Sequence, residues 1–402
     1  MTRVIVIGGG ASGIAAALSA AEREENEVLL LERQQRIGRK LLATGNGRCN
    51  LTNTGAALPR YHGADPAFAA PALRAYPPRA ILDYFASLGL LTTEEYGGRV
   101  YPLSNSANSV LDVLRFELER RGVQQRCACP VQSVARERGG FAVTAEGERL
   151  HADKLILACG GAAGAKLGGV MDGYQLAKAL GHKRTALYPA LVQVVTEPSY
   201  PRALKGVRVQ ARLQLLQNGS AVAESEGEVQ FTDNGVSGPA VFDLSRAVST
   251  GCAGQELKLM LLPQNEETLR GLLLRRREAL PSLPAGEIFT GMLHNRLGRM
   301  AVRYSGVDAA KPLEELDARE LHALAAACRD FRLPVRGTEG FDHAQVTAGG
   351  LRTEDFDPET LESRLVPGLF ACGELLDIDG DCGGFNLQWA WASGRLAGRL
   401  GR

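Results

Sequence analysis

Val4-Ile5-Val6-Ile7-Gly8-Gly9-Gly10-Ala11-Ser12-Gly13, close to the start of the 402-residue chain, is the stretch on which the fold turns. A run of β-branched residues predicts a strand covered on both faces, as in a parallel sheet. The glycines then follow GxGxxG spacing. Gly8 permits the tight turn, Gly10 lets backbone approach a pyrophosphate, and Gly13 lets the next helix, expected over Ile14 to Glu22, pack on the strand. Ala11 and Ser12 lie at the mouth of that helix, whose free N–H groups favour phosphates. A second apolar run, Val28 to Leu31, ends on Glu32, nineteen residues beyond Gly13. A carboxylate there can accept hydrogen bonds from both hydroxyls of an adenosine ribose and would repel a 2′-phosphate, which disfavours NADP at this site.

These pieces predict a dinucleotide and leave FAD and NAD open. Two later stretches decide for FAD. Lys154 to Cys159 is another strand running into paired glycines, Gly160 and Gly161, and Gly368 to Gly373 repeats the pattern and ends on Glu374. A nicotinamide enzyme needs no second acid, whereas the ribityl and pyrophosphate of an extended FAD cross the sheet and need late partners. Beyond lie Gly383, Gly384, Asn386 and Leu387, with Asn386 the expected N-cap of a helix from Leu387 to Leu400. Its N-terminal partial charge, aimed at the flavin pyrimidine, would stabilise the charge that develops there on reduction.

Between the two ends, Gly38 to Asn53 (Gly-Arg-Lys-Leu-Leu-Ala-Thr-Gly-Asn-Gly-Arg-Cys-Asn-Leu-Thr-Asn) is too polar and glycine-rich for a regular buried element, so it should line a site. Lys40 and Arg48 are expected at the pyrophosphate, and Cys49 and Asn50 at the isoalloxazine edge. This segment resembles the signature of a bacterial flavoprotein family variously called BaiN-like, YhiN-like or aminoacetone-oxidase-like. Gly98-Arg99-Val100-Tyr101-Pro102, Phe231-Thr232, Val236-Ser237-Gly238-Pro239 and Val346 to Gly350 agree with it, so the resemblance covers essentially the whole chain. It implies an α/β, glutathione-reductase-like Rossmann FAD-binding domain interrupted by a β-rich domain and a small helical domain. The FAD-contacting set is then Gly8, Gly10, Ala11, Ser12, Gly13, Glu32, Arg33, Lys40, Gly45, Gly47, Arg48, Cys49, Asn50, Val131, Gly160, Gly161, Gly373, Glu374, Gly383, Gly384, Asn386 and Leu387. One departure is visible: relatives carry His after the Phe-Thr pair, where this chain has Asp233, so no histidine acid is available there.

In the middle of the chain the period changes. Val207 to Leu215 alternates with period two, and Asn218-Gly219 supplies a hairpin turn into Ala221-Val222-Ala223, as in an antiparallel sheet or barrel. From Glu266 to about Arg329 the period is helical, and Phe331 to Val335 reads as a returning strand. The expected division is an FAD domain over 1–190 and 341–402, a β-rich substrate domain over 191–264 and 330–340, and a helical insert over 265–329. Arg275, Arg276, Arg277, Arg296, Arg299 and Arg303 make the insert modestly basic, as a solvated face or as a nucleic-acid patch.

A net charge of +1 excludes a whole-molecule field drawing in nucleic acid or membrane. No secretory leader or membrane-spanning run is apparent, and the eight cysteines are dispersed, so a cytoplasmic protein with reduced thiols is expected. Cys127-Ala128-Cys129 lacks a partner pair at zinc-site spacing and reads as small residues in a strand; no metal is expected. The expected activity is an FAD-dependent oxidoreduction passing a hydride through flavin N5, as NAD(P)H-linked reduction of a C=C, C=O or C=N bond. Reduction of uridine in ribosomal RNA and oxidation of a small amine stand as alternatives. Either NADH or NADPH fits as donor, either a small molecule or ribosomal RNA as partner, and the oligomeric state stays open. Reducing a C=C bond also needs a proton donor, for which Cys49, Cys382 and Tyr101 are the candidates.

Overall fold

A computed structural model describes residues 1–251 and 253–401; Cys252, counted above among the thiols, lies outside them. The chain parts into two compact units, one formed by Met1–Tyr188 with Ala344–Arg402 and the other by Pro189–His343.

The first unit is built on a five-stranded parallel sheet in the order Leu369–Ala371, Lys154–Leu157, Thr2–Ile7, Asn26–Leu31, Gln124–Arg126. Val4, Ile5, Val6 and Ile7 are all buried, as their unbroken apolar run requires. The following helix begins earlier than its apolar pattern suggests, spanning Ala11–Ala20, because Ala11, Ser12 and Gly13 already form its first turn after Gly10. Against this helix packs the C-terminal one, Phe385–Gly398. A Cβ on Gly394 would stand 2.3 Å from the Ser12 carbonyl oxygen, so the small residues of the last helix are there for close approach. Trp389 and Trp391 anchor its other contacts. Their indole N–H groups donate to the Gly373 oxygen at 3.1 Å and the Leu51 oxygen at 2.9 Å, and Trp391 meets Phe85 edge-on at 5.2 Å. Buried indoles combine large apolar area with one donor needing a partner. Here both partners belong to segments that reach the site.

The second unit contains a closed six-stranded barrel, in the order Val194–Thr196, Gly235–Ser237, Ser220–Phe231, Arg208–Gln217, Gln255–Met260, Phe331–Thr338. Along Arg208–Gln217, Ala211, Leu213 and Leu215 face in while Arg208, Gln210 and Arg212 face out. The pairing Gln217↔Ser220 leaves Asn218 and Gly219 as a two-residue turn, both with positive φ (52° and 82°). The helices Glu266–Ala279, Asn295–Ser305 and Ala318–Arg329 of the same unit gather around a separate core that includes Leu269, Leu273, Phe289, Ala301 and Leu324. Much of their basic stripe is engaged within the unit. Arg277 donates to the Leu316 oxygen at 2.8 Å, Arg296 to the Lys205 oxygen at 3.1 Å, and Arg299 pairs with Glu287 at 2.6 Å, while Arg275 and Arg303 are exposed. Asp233 pairs with Lys205 at 2.5 Å.

Candidate flavin site

The residues expected around a dinucleotide meet at the ends of the parallel strands of the first unit. A Cβ on Gly13 would lie 1.8 Å from the Gly8 oxygen, so helix and strand require glycine there, while the Cβ side of Gly10 is open. Glu32 is buried, and its carboxylate oxygens accept the Gly9 and Gln34 N–H groups, each at 2.7 Å. An ionised carboxylate has about four lone-pair sites, so acceptor capacity remains for ribose hydroxyls. Val131 opens the strand Val131–Glu137, just past a turn in which the Ala128 and Cys129 N–H groups donate to the Gln34 and Glu32 oxygens at 2.7 and 2.9 Å. Cys127 and Cys129 thus sit in this turn and not in a strand, because Ala128 between them takes a left-handed φ of 55°. Arg33 pairs with Asp172 at 3.0 Å.

Lys40 and Glu374, read separately in the sequence, form one unit. Lys40 Nζ donates to Glu374 Oε2 at 2.7 Å, and the Thr347 N–H donates to Glu374 Oε1 at 2.9 Å. Gly161 is required beside them, since a Cβ there would lie 2.4 Å from Thr347 Oγ1 and 2.5 Å from Glu374 Oε1. Its neighbour Gly160 follows the same strand, and the Gly373 N–H donates to Ser393 Oγ at 2.9 Å. The role of Thr347, within the Val346 to Gly350 stretch, has no signal in the sequence, because a threonine in a short strand carries no local mark of its partner.

The loop after Lys40 holds Gly45, Asn46, Gly47 and Cys49 in left-handed conformations (φ 56°, 57°, 86° and 60°). Two expected site residues are engaged by the protein here. Arg48, expected at the pyrophosphate, pairs with Glu95, donates to Asn105, and lies 4.0 Å over the Tyr101 ring. The Asn105 and Glu95 acceptors, with the aromatic face, offer the guanidinium a full set of partners on that side. Cys49 is wholly enclosed, and burial pushes its thiol up to about 12. A thiol with no accessible surface and so high a pKa is a poor proton donor to any ligand.

The neighbouring Asn50 does present an unmet acceptor. Its Oδ1 is buried without a hydrogen-bond partner among the described residues. It lies beside Gly384, where a Cβ would fall 2.8 Å from that oxygen. Gly384 opens the C-terminal helix, its carbonyl accepting the Gln388 N–H at 3.0 Å. Asn386 is therefore not the N-cap. It stands in the first turn, and its amide folds back on Gly380, accepting the N–H at 2.8 Å and donating to the oxygen at 2.7 Å. Leu387, half-buried, follows it. The chain there fits a flavin. An orphaned acceptor meets a ring that carries an N–H, at a helix N-terminus that favours the ring's developing negative charge. Asn50, Gly383, Gly384 and the first turn of the helix would hold that ring, with Glu32 and the Gly8–Gly13 turn holding the adenosine and phosphates.

Tyr101 and Cys382 face this region as well. Tyr101 sits in the strand Arg99–Pro102, largely buried; burial raises its phenol above the ordinary value of 10, while Arg99 and Arg48 act the other way and Cys382 is near enough to contribute. Asn53 ties the adjoining strand to the C-terminal loop, donating to the Gly383 oxygen at 2.9 Å.

Residues 2–400 match the family described as HI0933-like protein Rossmann domain. The chain belongs to that family. It is 42% identical, over 99% of its length and 98% of the relative's, to 3-dehydro-bile acid delta(4,6)-reductase of Clostridium scindens. It is 32% identical, over 97% of its length and 95% of the relative's, to ribosomal RNA dihydrouridine synthase of Escherichia coli. Among solved structures, a 3-ketosteroid delta1-dehydrogenase from Sterolibacterium denitrificans shares the fold with a TM-score of 0.50 at 14% identity, covering 99% of each chain. This member of the HI0933-like family is an FAD-binding flavoprotein oxidoreductase. No helix among its described residues is long and apolar enough to cross a membrane.

Proposed function

We propose that the protein reduces a carbon–carbon double bond conjugated to a carbonyl in a steroid-like small molecule, with NADH or NADPH as electron source, in the cytoplasm. The observation that carries this reading is the 42% identity, along 99% of the chain, to a reductase whose name specifies a 3-dehydro bile acid and double bonds at positions 4 and 6. The other relatives' name fits the same reaction class, since the uridine double bond that becomes dihydrouridine is also conjugated to a carbonyl. The small molecule is favoured over RNA by the higher identity and by the engagement of Arg277, Arg296 and Arg299 in contacts within their own unit.

When bound, FAD supplies the hydride through its N5. The protein's part is binding, orientation and the proton. Tyr101, kept protonated by burial and steadied by Arg48 on its ring, is placed to donate to the substrate carbonyl, drawing electron density from the double bond. Asn50 and the C-terminal helix hold the ring, and Cys382 lines the approach.

The test is anaerobic. Purified holoprotein is reduced with NADH or NADPH and then mixed with a conjugated 3-oxosteroid or with ribosomal RNA lacking dihydrouridine. Rapid return of the oxidised flavin spectrum with the steroid alone is expected. Return with RNA alone would overturn the substrate class, and return only with oxygen, accompanied by amine oxidation, would overturn the reaction.

A further inference from the structure

The loop that carries Cys382, Gly383 and Gly384 also carries Asp381, and Asp381 grips a histidine that nothing in the local sequence connects with it. His62 Nε2 lies 2.7 Å from Asp381 Oδ1, while Arg60 Nη1 lies 3.3 Å from Asp381 Oδ2 and the Asp381 N–H donates to the Arg60 oxygen at 3.0 Å. The two segments form a short antiparallel ladder, Tyr61–His62 against Asp379–Gly380, with His62 opposite Asp379 and Tyr61 opposite Gly380. Tyr61 Oη then donates to the oxygen of Phe385, the first residue of the C-terminal helix, at 3.2 Å, and Asn386 clamps Gly380. His62 is thus fastened to the same loop and helix start that would hold the flavin ring. Its side chain keeps 37% of its surface, so the ring is open to a ligand.

We propose that His62, oriented by Asp381, is the proton donor of the reduction; this rests on the reaction proposed above. A carboxylate that fixes one ring nitrogen leaves the other to serve a ligand, the arrangement required of a histidine acid. Within the same unit the other histidines are placed elsewhere: His151 lies in the strand Glu148–Ala152, and His182 is buried and stacked on Phe356. Cys49 is enclosed. In the step, the hydride forms a C–H bond at the carbon remote from the carbonyl, and the π electrons move toward the carbonyl. The Nδ1–H bond of His62 then breaks as its proton forms the second C–H bond, next to the carbonyl. The neutral imidazole regains a proton from water, and the nicotinamide donor restores the two electrons.

The test compares holoprotein carrying His62→Ala, His62→Gln or Asp381→Asn with wild type. Titration of each apoprotein with FAD, and flavin reduction by NADH or NADPH, should stay within about twofold of wild type. Reoxidation by the 3-oxosteroid should slow by roughly 10²–10⁴-fold in both His62 variants, the range for loss of a general acid, and imidazole in the buffer should restore part of it in His62→Ala. Asp381→Asn should lie between. Equal reoxidation in the His62 variants and wild type overturns the role of His62 alone, as does weakened FAD binding without imidazole rescue, which would make the pair a structural tie. A wild type that does not reduce the steroid overturns the reaction, and with it this role.

Discussion

At the end of the site that would take the adenosine, the groups come mainly from the first 32 residues: the Gly8–Gly13 turn, the helix Ala11–Ala20 and Glu32 at the end of its strand, with Val131 as the late addition. At the flavin end, the groups arrive from Lys40–Asn53, Tyr61–His62, Glu95–Tyr101 and Asp379–Asn386, joined by short strand pairs and side-chain ties. The first end is made by consecutive elements set by local spacing. The second is made by distant segments that have no order until the core packs. Affinity for the cofactor should therefore reside mainly at the adenine end, and the choice of chemistry at the flavin end.

The largest test of that contrast is Glu32→Arg. It replaces an acceptor that already holds two backbone N–H groups with a cation, so FAD affinity should fall roughly 100-fold or more, two charge-assisted bonds being lost. Titration of the apoprotein by flavin fluorescence checks it; unchanged affinity would place the adenosine elsewhere. Asn50→Ala should have a smaller effect, about tenfold on FAD affinity, as expected for one hydrogen bond to a buried acceptor. A loss as large as that of Glu32→Arg would mean that the flavin end carries affinity equally, and no loss would mean that Oδ1 does not meet the ring.

The smallest effect concerns pH. Arg48 holds the Glu95 carboxyl below its ordinary value of 4.5, chiefly through the hydrogen bond between them. The contribution of this pair is complete above 4.5 and is lost as pH falls through the lowered folded value. Because both side chains are partly exposed, the contribution is modest. Melting temperatures of wild type and Glu95→Gln, measured from pH 7 downward, should differ slightly at neutral pH and converge in acid. A gap that widens in acid would show that Glu95 is not the titrating partner.

Arg48 and Cys49 show what a polar segment leaves open: it says that a loop lines a site but not which way each side chain turns. In the folded chain, left-handed residues on either side of Arg48 turn its guanidinium toward Glu95 and Tyr101 and the Cys49 thiol into the core. Asn386 lies inside the helix and not at its cap for a related reason: Gly384 already begins the helix, freeing the amide to clamp Gly380. His62 left no trace in the sequence because its partner, Asp381, is hundreds of positions away.

The buried strand Val4–Ile7, the glycine turn, the position of Glu32 and the Asn218-Gly219 hairpin were determined by sequence alone, since each depends on residues close along the chain and on backbone sterics that act locally. Tertiary structure decided the Lys40–Glu374–Thr347 network, the orphaned Asn50 acceptor beside Gly384 and the His62–Asp381 pair. Each of these needs the close packing of the Phe385–Gly398 helix or the late strand against early segments, and such long-range contacts are set by burial and shape across the whole core.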